Sequence, residues 1–105
     1  MEVVMLVHNR IEIDEVKLAE ICRRYHVREL ALFGSVLRDD FRDDSDIDVL
    51  VEFEPDARIG FIALQDFHEE LETLLGRSVD VVTRKGLNRF LRDPVLSSAR
   101  VVYAT

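Results

Sequence analysis

Two aspartates separated by one residue, Asp46 and Asp48, begin the clearest alternation of apolar and polar residues in the sequence. In an extended strand such residues point to the same face, with Cα atoms about 7 Å apart, while Ile47, Val49 and Val51 point to the other. Two carboxylates side by side repel each other unless a cation lies near them. Oxygen ligands of this kind suit Mg²⁺, which takes one or two carboxylates together with water and phosphate oxygens. The pair indicates a metal site; the alternative is two solvent-facing aspartates on a half-exposed strand.

A third aspartate, Asp80, lies within the segment Ser78–Val82, which otherwise has the character of a strand. Strands disfavour aspartate, and a carboxylate there needs a partner or a metal to offset the cost of leaving water. If this strand lies beside the one that begins near Asp46, three carboxylates share one face, which is enough to hold two metal ions about 4 Å apart. The alternative is a salt bridge to one of the arginines.

Gly34 and Ser35 follow a run of apolar residues and precede a predicted short helix. A strand that ends in this way presents free backbone N–H groups and a hydroxyl, and the N-terminus of a helix attracts anions. Glycine also removes the side chain that would keep a phosphate away from the backbone. The pair therefore indicates an anion site, unless Ser35 serves as a helix cap and nothing more.

Hydrophobic spacing identifies the elements that must position these residues. Strands are predicted at residues 28–33, Ile47–Phe53 and Ser78–Thr83, with a small edge strand at Val101–Tyr103. Helices are predicted at Asp14–Tyr25, Val36–Phe41 and Phe61–Leu75, with a short one starting at Asp93-Pro94. Because strands alternate with helices, we expect an α/β or α+β sandwich in which helices pack on a small mixed sheet.

Two of these helices carry local signals for their ends. Asp14 is a typical N-cap residue, and Gly76 stands where a left-handed C-terminal cap is expected. The apolar residues of the second helix recur at helical spacing, which predicts one buried face: Phe61, Leu64, Phe67, Leu71, Leu74 and Leu75.

The composition narrows the class of protein. The chain has 105 residues, of which 48% are hydrophobic and 33% charged, a globular balance that excludes disorder. Its net charge of −7 argues against a surface that binds nucleic acid by neutralising phosphates. One cysteine, Cys22, excludes an internal disulfide, suits a reducing compartment and is expected to fill the core. No segment approaches the roughly 20 apolar residues of a membrane span. We expect a cytoplasmic protein with one domain over residues 1–105, in which residues 1–12 form an N-terminal arm or an extra strand.

The spacing of the polar residues resembles a known family. Gly34-Ser35, ten intervening residues, Asp46-x-Asp48 and a later Asp80 within a strand resemble the signature of the DNA polymerase beta-like nucleotidyltransferase superfamily. The segments 34–38 and 45–51 resemble its minimal prokaryotic branch, whose members are commonly antitoxins of HEPN-domain ribonuclease toxins. The resemblance extends from about Leu18 to the C-terminus. It departs from the family at Asp39, where glycine is frequent.

The resemblance implies an α+β fold and a role for each polar residue. Gly34 and Ser35 would hold the β- and γ-phosphates of ATP, Asp46 and Asp48 would ligate both of two Mg²⁺ ions, and Asp80 would ligate the catalytic ion and help to deprotonate the acceptor. Arg38 would contact a phosphate or brace the acidic loop of residues 39–45. A surface ion pair is the alternative for Arg38.

Two functions fit this site. By resemblance, the chain would be an enzyme that transfers AMP from ATP to a tyrosine hydroxyl of a HEPN-family toxin and so silences it. The rival is a non-catalytic antitoxin that occludes its partner through an apolar patch at Val3–Val7 or Val101–Tyr103. The complete set of carboxylates favours the enzyme, because occlusion needs none of them. A third function, transfer to a small RNA, is disfavoured by the net charge of −7. We expect the chain neither to bind nucleic acid directly nor to associate with a membrane.

Overall fold

The computed structural model describes residues 4–7, 11–38, 41–42, 44–84, 86 and 97–105. Within these residues, strands and helices follow one another in this order: β1 (Val4–Val7), β2 (Ile11–Asp14), α1 (Glu15–Arg24), β3 (Val27–Phe33), β4 (Ile47–Phe53), α2 (Phe61–Leu75), β5 (Val79–Thr83) and β6 (Arg100–Ala104). A 3₁₀-helix of one turn, Gly34–Leu37, follows β3.

Four of the strands form a mixed sheet in the order β5-β4-β3-β6. β3 is antiparallel to both of its neighbours, whereas β4 and β5 are parallel and are connected through α2. The predicted α+β fold with helices packed on a small mixed sheet is therefore confirmed. β1 and β2 form a separate antiparallel pair, so the described part of the segment for which the sequence leaves an arm or an extra strand open contains strand.

One face of the sheet forms the core with the helices. Ile47, Val49 and Val51 of β4 are fully buried there, in the same cluster as Phe67 and Leu71 of α2. Side chains alternate along a strand, so the polar residues of β4 must lie on the opposite face. The apolar pattern of this single strand thus decides on which side of the sheet the aspartates lie.

One capping residue begins α1 and another ends α2, as the sequence predicts. The side chain of Asp14 accepts a hydrogen bond from the backbone N–H of Lys17, which satisfies one of the unpaired donors at the start of α1. At the end of α2, Gly76 has a left-handed backbone with φ of 67°, and its N–H donates to the carbonyl of Glu72. Both caps are local interactions, which explains why the sequence predicts them.

Two predictions about helices are wrong. The short helix expected over Val36–Phe41 is a 3₁₀ turn that begins at Gly34 and ends at Leu37, and Arg38 is already extended. Val36 is fully buried, and this contact with the core holds the turn close to the end of β3. Phe61 was expected on the buried face of α2, but it is 85% exposed because the first turn of the helix extends beyond the core.

The short helix predicted from Asp93-Pro94 and the acidic loop of residues 39–45, with the family departure at Asp39, lie partly or wholly outside the described residues. The edge strand predicted at Val101–Tyr103 is observed as β6. Over the described part of the chain, no helix combines the length and the apolar character needed to span a membrane.

Candidate active site

The register of two neighbouring strands brings two aspartates together. β4 and β5 are parallel, and Asp48 lies directly opposite Asp80. Residues that face each other in this way project from the same face of the sheet. Asp46 comes immediately before β4 and two residues before Asp48, so it follows the same alternation. The three candidate metal ligands therefore belong to one end of one face of the sheet.

The three aspartates Asp46, Asp48 and Asp80 are called the acidic row below. Gly34 lies beside this row on the side of β3, away from β5. Phe33, the last residue of β3, is the antiparallel partner of Asp48, so the chain turns into the 3₁₀-helix beside that carboxylate. A Cβ atom at position 34 would lie 2.1 Å from Oδ2 of Asp48, and Gly34 has a φ of +78°. Both the close approach and the left-handed backbone require glycine here.

The surroundings of Asp48 disfavour its charged form. Burial is the main cause that raises the pKa of this carboxyl above its ordinary value, and the charges of Asp80 and Asp46 raise it further. Arg38 acts in the opposite direction and lowers the pKa. The four side chains are thus close enough to interact electrostatically, and Arg38 supplies positive charge near Asp48.

The chemistry of the three carboxylates fits a hard divalent cation, because all the donors are oxygen and the protein supplies an excess of negative charge. Among the described residues, however, no group of three His, Cys, Asp or Glu side chains is gathered closely enough to hold a metal ion as it stands. Asp46 and Asp80 are exposed and Asp48 is half-buried, so their side chains have room to turn toward a shared ion. The donor set fits Mg²⁺ and requires that adjustment.

Ser35 lies in the 3₁₀ turn beside Gly34 and is half-buried. Its carbonyl accepts a hydrogen bond from the N–H of Arg38 at 2.9 Å, which closes the turn. The sequence predicts that this pair precedes a short helix whose aligned peptides would attract a phosphate. One 3₁₀ turn has too few aligned peptides for that effect, so this part of the expectation is not met.

The alternative for Asp80 was a salt bridge to an arginine. In the described part of the chain, no ion pair joins Asp80 to an arginine, whereas Arg84, farther along the same face, pairs with Glu52 at 2.6 Å and with Glu29 at 3.5 Å. The arginine pairs therefore lie at the opposite end of this face. Between them and the acidic row lies a small apolar cluster centred on Ala31 and Leu50.

Sequence reasoning missed Arg77, which braces the loop that leads to Asp46. Its guanidinium lies 4.6 Å from the ring centre of Phe41, and Nη1 donates to the carbonyls of Arg42 at 3.0 Å and Ser45 at 3.4 Å. An arginine directly after the Gly76 cap is a weak local signal. Its contact with a loop more than 30 residues earlier is visible only in the folded chain.

Comparisons with known proteins identify the family and the fold. Residues 15–102 match the family model of the nucleotidyltransferase domain. The protein adenylyltransferase MntA of Thermococcus cleftensis is 40% identical over 85 residues, which are 80% of this chain and 81% of the relative. A relative from Methanocaldococcus jannaschii, assigned as a protein adenylyltransferase, is 36% identical over 79% of this chain and 87% of its own.

Solved structures share the fold. One that is assigned as a minimal nucleotidyltransferase superposes with a TM-score of 0.68 at 36% identity and covers 81% of this chain and 85% of its own. A chain of a toxin–antitoxin complex with AMP-PNP gives a TM-score of 0.68 at 23% identity, covering 89% and 75%. The complex of a tri-AMPylated Shewanella oneidensis HEPN toxin with an MNT antitoxin gives 0.60 at 24% identity, covering 87% and 70%. At these lower identities the likeness concerns the fold.

Proposed function

The chain belongs to the nucleotidyltransferase domain family, and from that premise we propose that it is a magnesium-dependent protein adenylyltransferase that acts as an antitoxin. It transfers AMP from ATP to a tyrosine hydroxyl of a HEPN-family ribonuclease toxin and so neutralises the toxin. The observation that carries this proposal is the in-register pair Asp48 and Asp80, on neighbouring strands beside the Gly34 backbone. A domain that bound its partner without chemistry would have no use for like charges held together in this way.

The relatives support the transfer of AMP to a partner toxin. The most informative by sequence is the protein adenylyltransferase MntA, at 40% identity over most of both chains. Among structures with the same fold, one contains the ATP analogue AMP-PNP and another a HEPN toxin that carries three AMP groups. Nucleotide, product and partner thus all occur with this fold. The choice of tyrosine as acceptor follows from the resemblance to the minimal antitoxins.

Each polar residue of the site has a role in this proposal. Asp46, Asp48 and Asp80 would hold Mg²⁺, which when bound would supply the positive charge that offsets the charge of the triphosphate and of the leaving pyrophosphate. Gly34 lets the β- and γ-phosphates approach the backbone, and Ser35 contacts them through its hydroxyl. Arg38, which supplies positive charge near Asp48, contacts a phosphate.

The transfer itself forms one bond and breaks one. The acceptor hydroxyl oxygen attacks the α-phosphorus of ATP, and the bond from that phosphorus to the bridging oxygen breaks, so that pyrophosphate leaves. As the resemblance implies, Asp80 helps to take the proton of the hydroxyl in this proposal, and its exposure on the edge strand is consistent with that role. Positioning and charge neutralisation do most of the remaining work in reactions of this kind.

A second function, neutralisation by binding alone, is consistent with the exposed apolar side chains of the described residues. Val4, Leu6 and Val101 are each nearly half exposed, as expected if the hairpin or β6 contacts a partner. Phe61 and Ile62 at the start of α2 are 85% and 77% exposed. Such side chains suit a protein interface, which both functions require. The transfer of AMP to the partner is therefore the property that distinguishes the enzyme from an antitoxin that acts by binding alone.

The test is to incubate the purified chain with a HEPN-family toxin, ATP and Mg²⁺, and to measure the intact mass of the toxin. We expect a gain of one or more AMP groups, on tyrosine by peptide mapping. Asp48→Asn and Asp80→Asn should each abolish the gain, whereas Asp56→Asn, which changes an exposed aspartate in a turn, should not. Undiminished transfer by both site variants would refute the metal site. Neutralisation of the toxin without any mass gain would establish occlusion instead.

A further inference from the structure

The outer edge of β5 is held by two side chains of α2. Within the described part of the chain β5 pairs with β4 alone, so the backbone groups on its other side face no strand. At Val79 the N–H donates to Oε2 of Glu72 at 2.9 Å, and the carbonyl oxygen accepts from Nε2 of His68 at 2.5 Å. Both backbone groups of one edge residue are therefore satisfied by side chains.

Helix geometry explains how one helix reaches both groups. His68 and Glu72 are four residues apart, so they project from the same face of α2, and Nε2 of His68 lies 3.5 Å from Oε2 of Glu72. On the inner side of β5, the carbonyl of Ser78 accepts the N–H of Ile47 at 3.0 Å. The first residues of β5 are thus anchored to β4 on one side and to α2 on the other.

The residue that follows this anchor is Asp80. It occupies the position that faces Asp48 on the neighbouring strand, and like charges at facing positions of two strands repel each other. β4 is a central strand and β5 an edge strand, so repulsion displaces β5 more easily. The bonds from His68 and Glu72 to Val79 oppose that displacement.

We propose that His68 and Glu72 are positioning residues, which hold the start of β5 so that Asp80 stays opposite Asp48, from where both side chains can turn toward a shared divalent cation. This inference rests on the proposed metal site. It means that α2, which contributes no metal ligand, controls the affinity of that site for the cation. Partners that orient ligands in this way typically change metal affinity or activity by about 10–100-fold when removed.

The experiment measures binding of Mn²⁺ to the purified chain by electron paramagnetic resonance, which needs neither nucleotide nor partner. Glu72→Ala removes the acceptor for the Val79 N–H and should weaken Mn²⁺ binding by about tenfold or more. Glu72→Gln retains a side-chain oxygen that can accept the same hydrogen bond, and should restore most of the affinity. Glu69→Ala is the matched control: it removes a carboxylate from an exposed position of the same helix and should leave affinity unchanged.

Amide hydrogen exchange at Val79 provides a second readout. In Glu72→Ala this amide should lose protection, while the amides of β4 keep theirs. If Glu72→Ala does not fold, His68→Ala serves in its place, since it removes the other bond to the same residue. A variant that melts at a lower temperature but binds Mn²⁺ as tightly as the wild type would show a purely structural role and overturn the inference.

Asp48→Asn separates this inference from the proposed function. If Asp48→Asn abolishes Mn²⁺ binding and Glu72→Ala does not weaken it, the metal site stands and the positioning role falls. If Asp48→Asn binds Mn²⁺ normally, the metal site is not where we place it, and both proposals fall. Loss of binding in Asp48→Asn together with weakened binding in Glu72→Ala supports both.

Discussion

A carboxylate oxygen of Asp48 occupies the place where a side chain at position 34 would begin: a Cβ atom on Gly34 would lie 2.1 Å from Oδ2 of Asp48. The contact joins the turn after β3 to the strand that bears the first carboxylates. Because glycine has no side chain, the backbone of the turn can pass this close to the carboxylate. The glycine and the aspartate thus form one feature of the site.

Gly34→Ala is expected to abolish transfer of AMP while the domain remains folded. The new methyl group must displace the carboxylate of Asp48, and alanine is strained at a φ of +78°. Transfer measured by the intact mass of the toxin, beside the circular dichroism spectrum of the variant, separates loss of function from loss of fold.

Gly76→Ala is the matched control for this substitution. Gly76 also has a positive φ, of 67°, but a Cβ atom there would meet nothing within 4 Å. We expect it to lower the free energy of unfolding by about 1 kcal/mol through backbone strain and to leave transfer intact. If both variants lose transfer equally, backbone strain explains the loss, and the contact between residue 34 and Asp48 has no separate role.

Asp48→Asn should raise the melting temperature of the metal-free chain by a few degrees at neutral pH. Burial and the charges of Asp80 and Asp46 raise the pKa of Asp48 in the folded state, so the folded chain binds this proton more readily than the unfolded chain. The carboxylate therefore destabilises the fold at neutral pH. That penalty is relieved as the pH falls through the raised pKa toward the ordinary value of 3.8.

The advantage of Asp48→Asn should therefore shrink as the pH is lowered, in melting curves recorded with EDTA present. Asp56→Asn, in an exposed turn, serves as the control and should show no such dependence. A lower melting temperature for Asp48→Asn at neutral pH would indicate that the carboxylate makes a stabilising contact, contrary to the repulsion described here.

Phe67→Ala and Phe61→Ala should differ widely in stability, although both residues lie on α2. Phe67 is fully buried and its ring packs against those of Tyr25 and Phe53, with centroids 5.5 and 5.9 Å apart. Its removal should cost about 3–5 kcal/mol. Phe61 is 85% exposed, so its removal should change stability by at most about 0.5 kcal/mol.

Urea unfolding of the two variants measures this difference. If Phe61→Ala lowers the free energy of unfolding as much as Phe67→Ala does, the ring of Phe61 is buried in solution, contrary to its exposure at the start of α2. If Phe61→Ala is neutral for stability but weakens binding of the toxin, the start of α2 contacts the partner.

Cys22 should not react with thiol reagents in the folded chain at pH 8. Its side chain is fully buried, and burial raises the pKa of the thiol to about 12, so the reactive thiolate is scarce. Labelling by iodoacetamide, followed by mass, should be slow in buffer and complete in urea. Rapid labelling of the native chain would show that α1 separates readily from the core.

Much of the fold follows from local sequence patterns. The bounds of α2 agree with the prediction to the residue, because helical spacing, the left-handed Gly76 and the turn after β4 are all local features. The N-cap at Asp14 and the alternation along β4 are equally local. Local patterns failed at the 3₁₀ turn and at Phe61, where contact with the core, or its absence, decides the outcome.

By itself, the sequence determined which residues could do chemistry: the Gly34-Ser35 pair, the alternating Asp46 and Asp48, and an aspartate inside a strand at position 80. Only the tertiary structure decided that Asp80 lies opposite Asp48, that Gly34 touches that carboxylate, and that α2 holds the edge of β5 through Val79. The physical reason is the distance along the chain over which each kind of interaction acts. Propensity, capping and alternation act within a few residues, whereas strand order and register depend on how distant segments bury their apolar faces together.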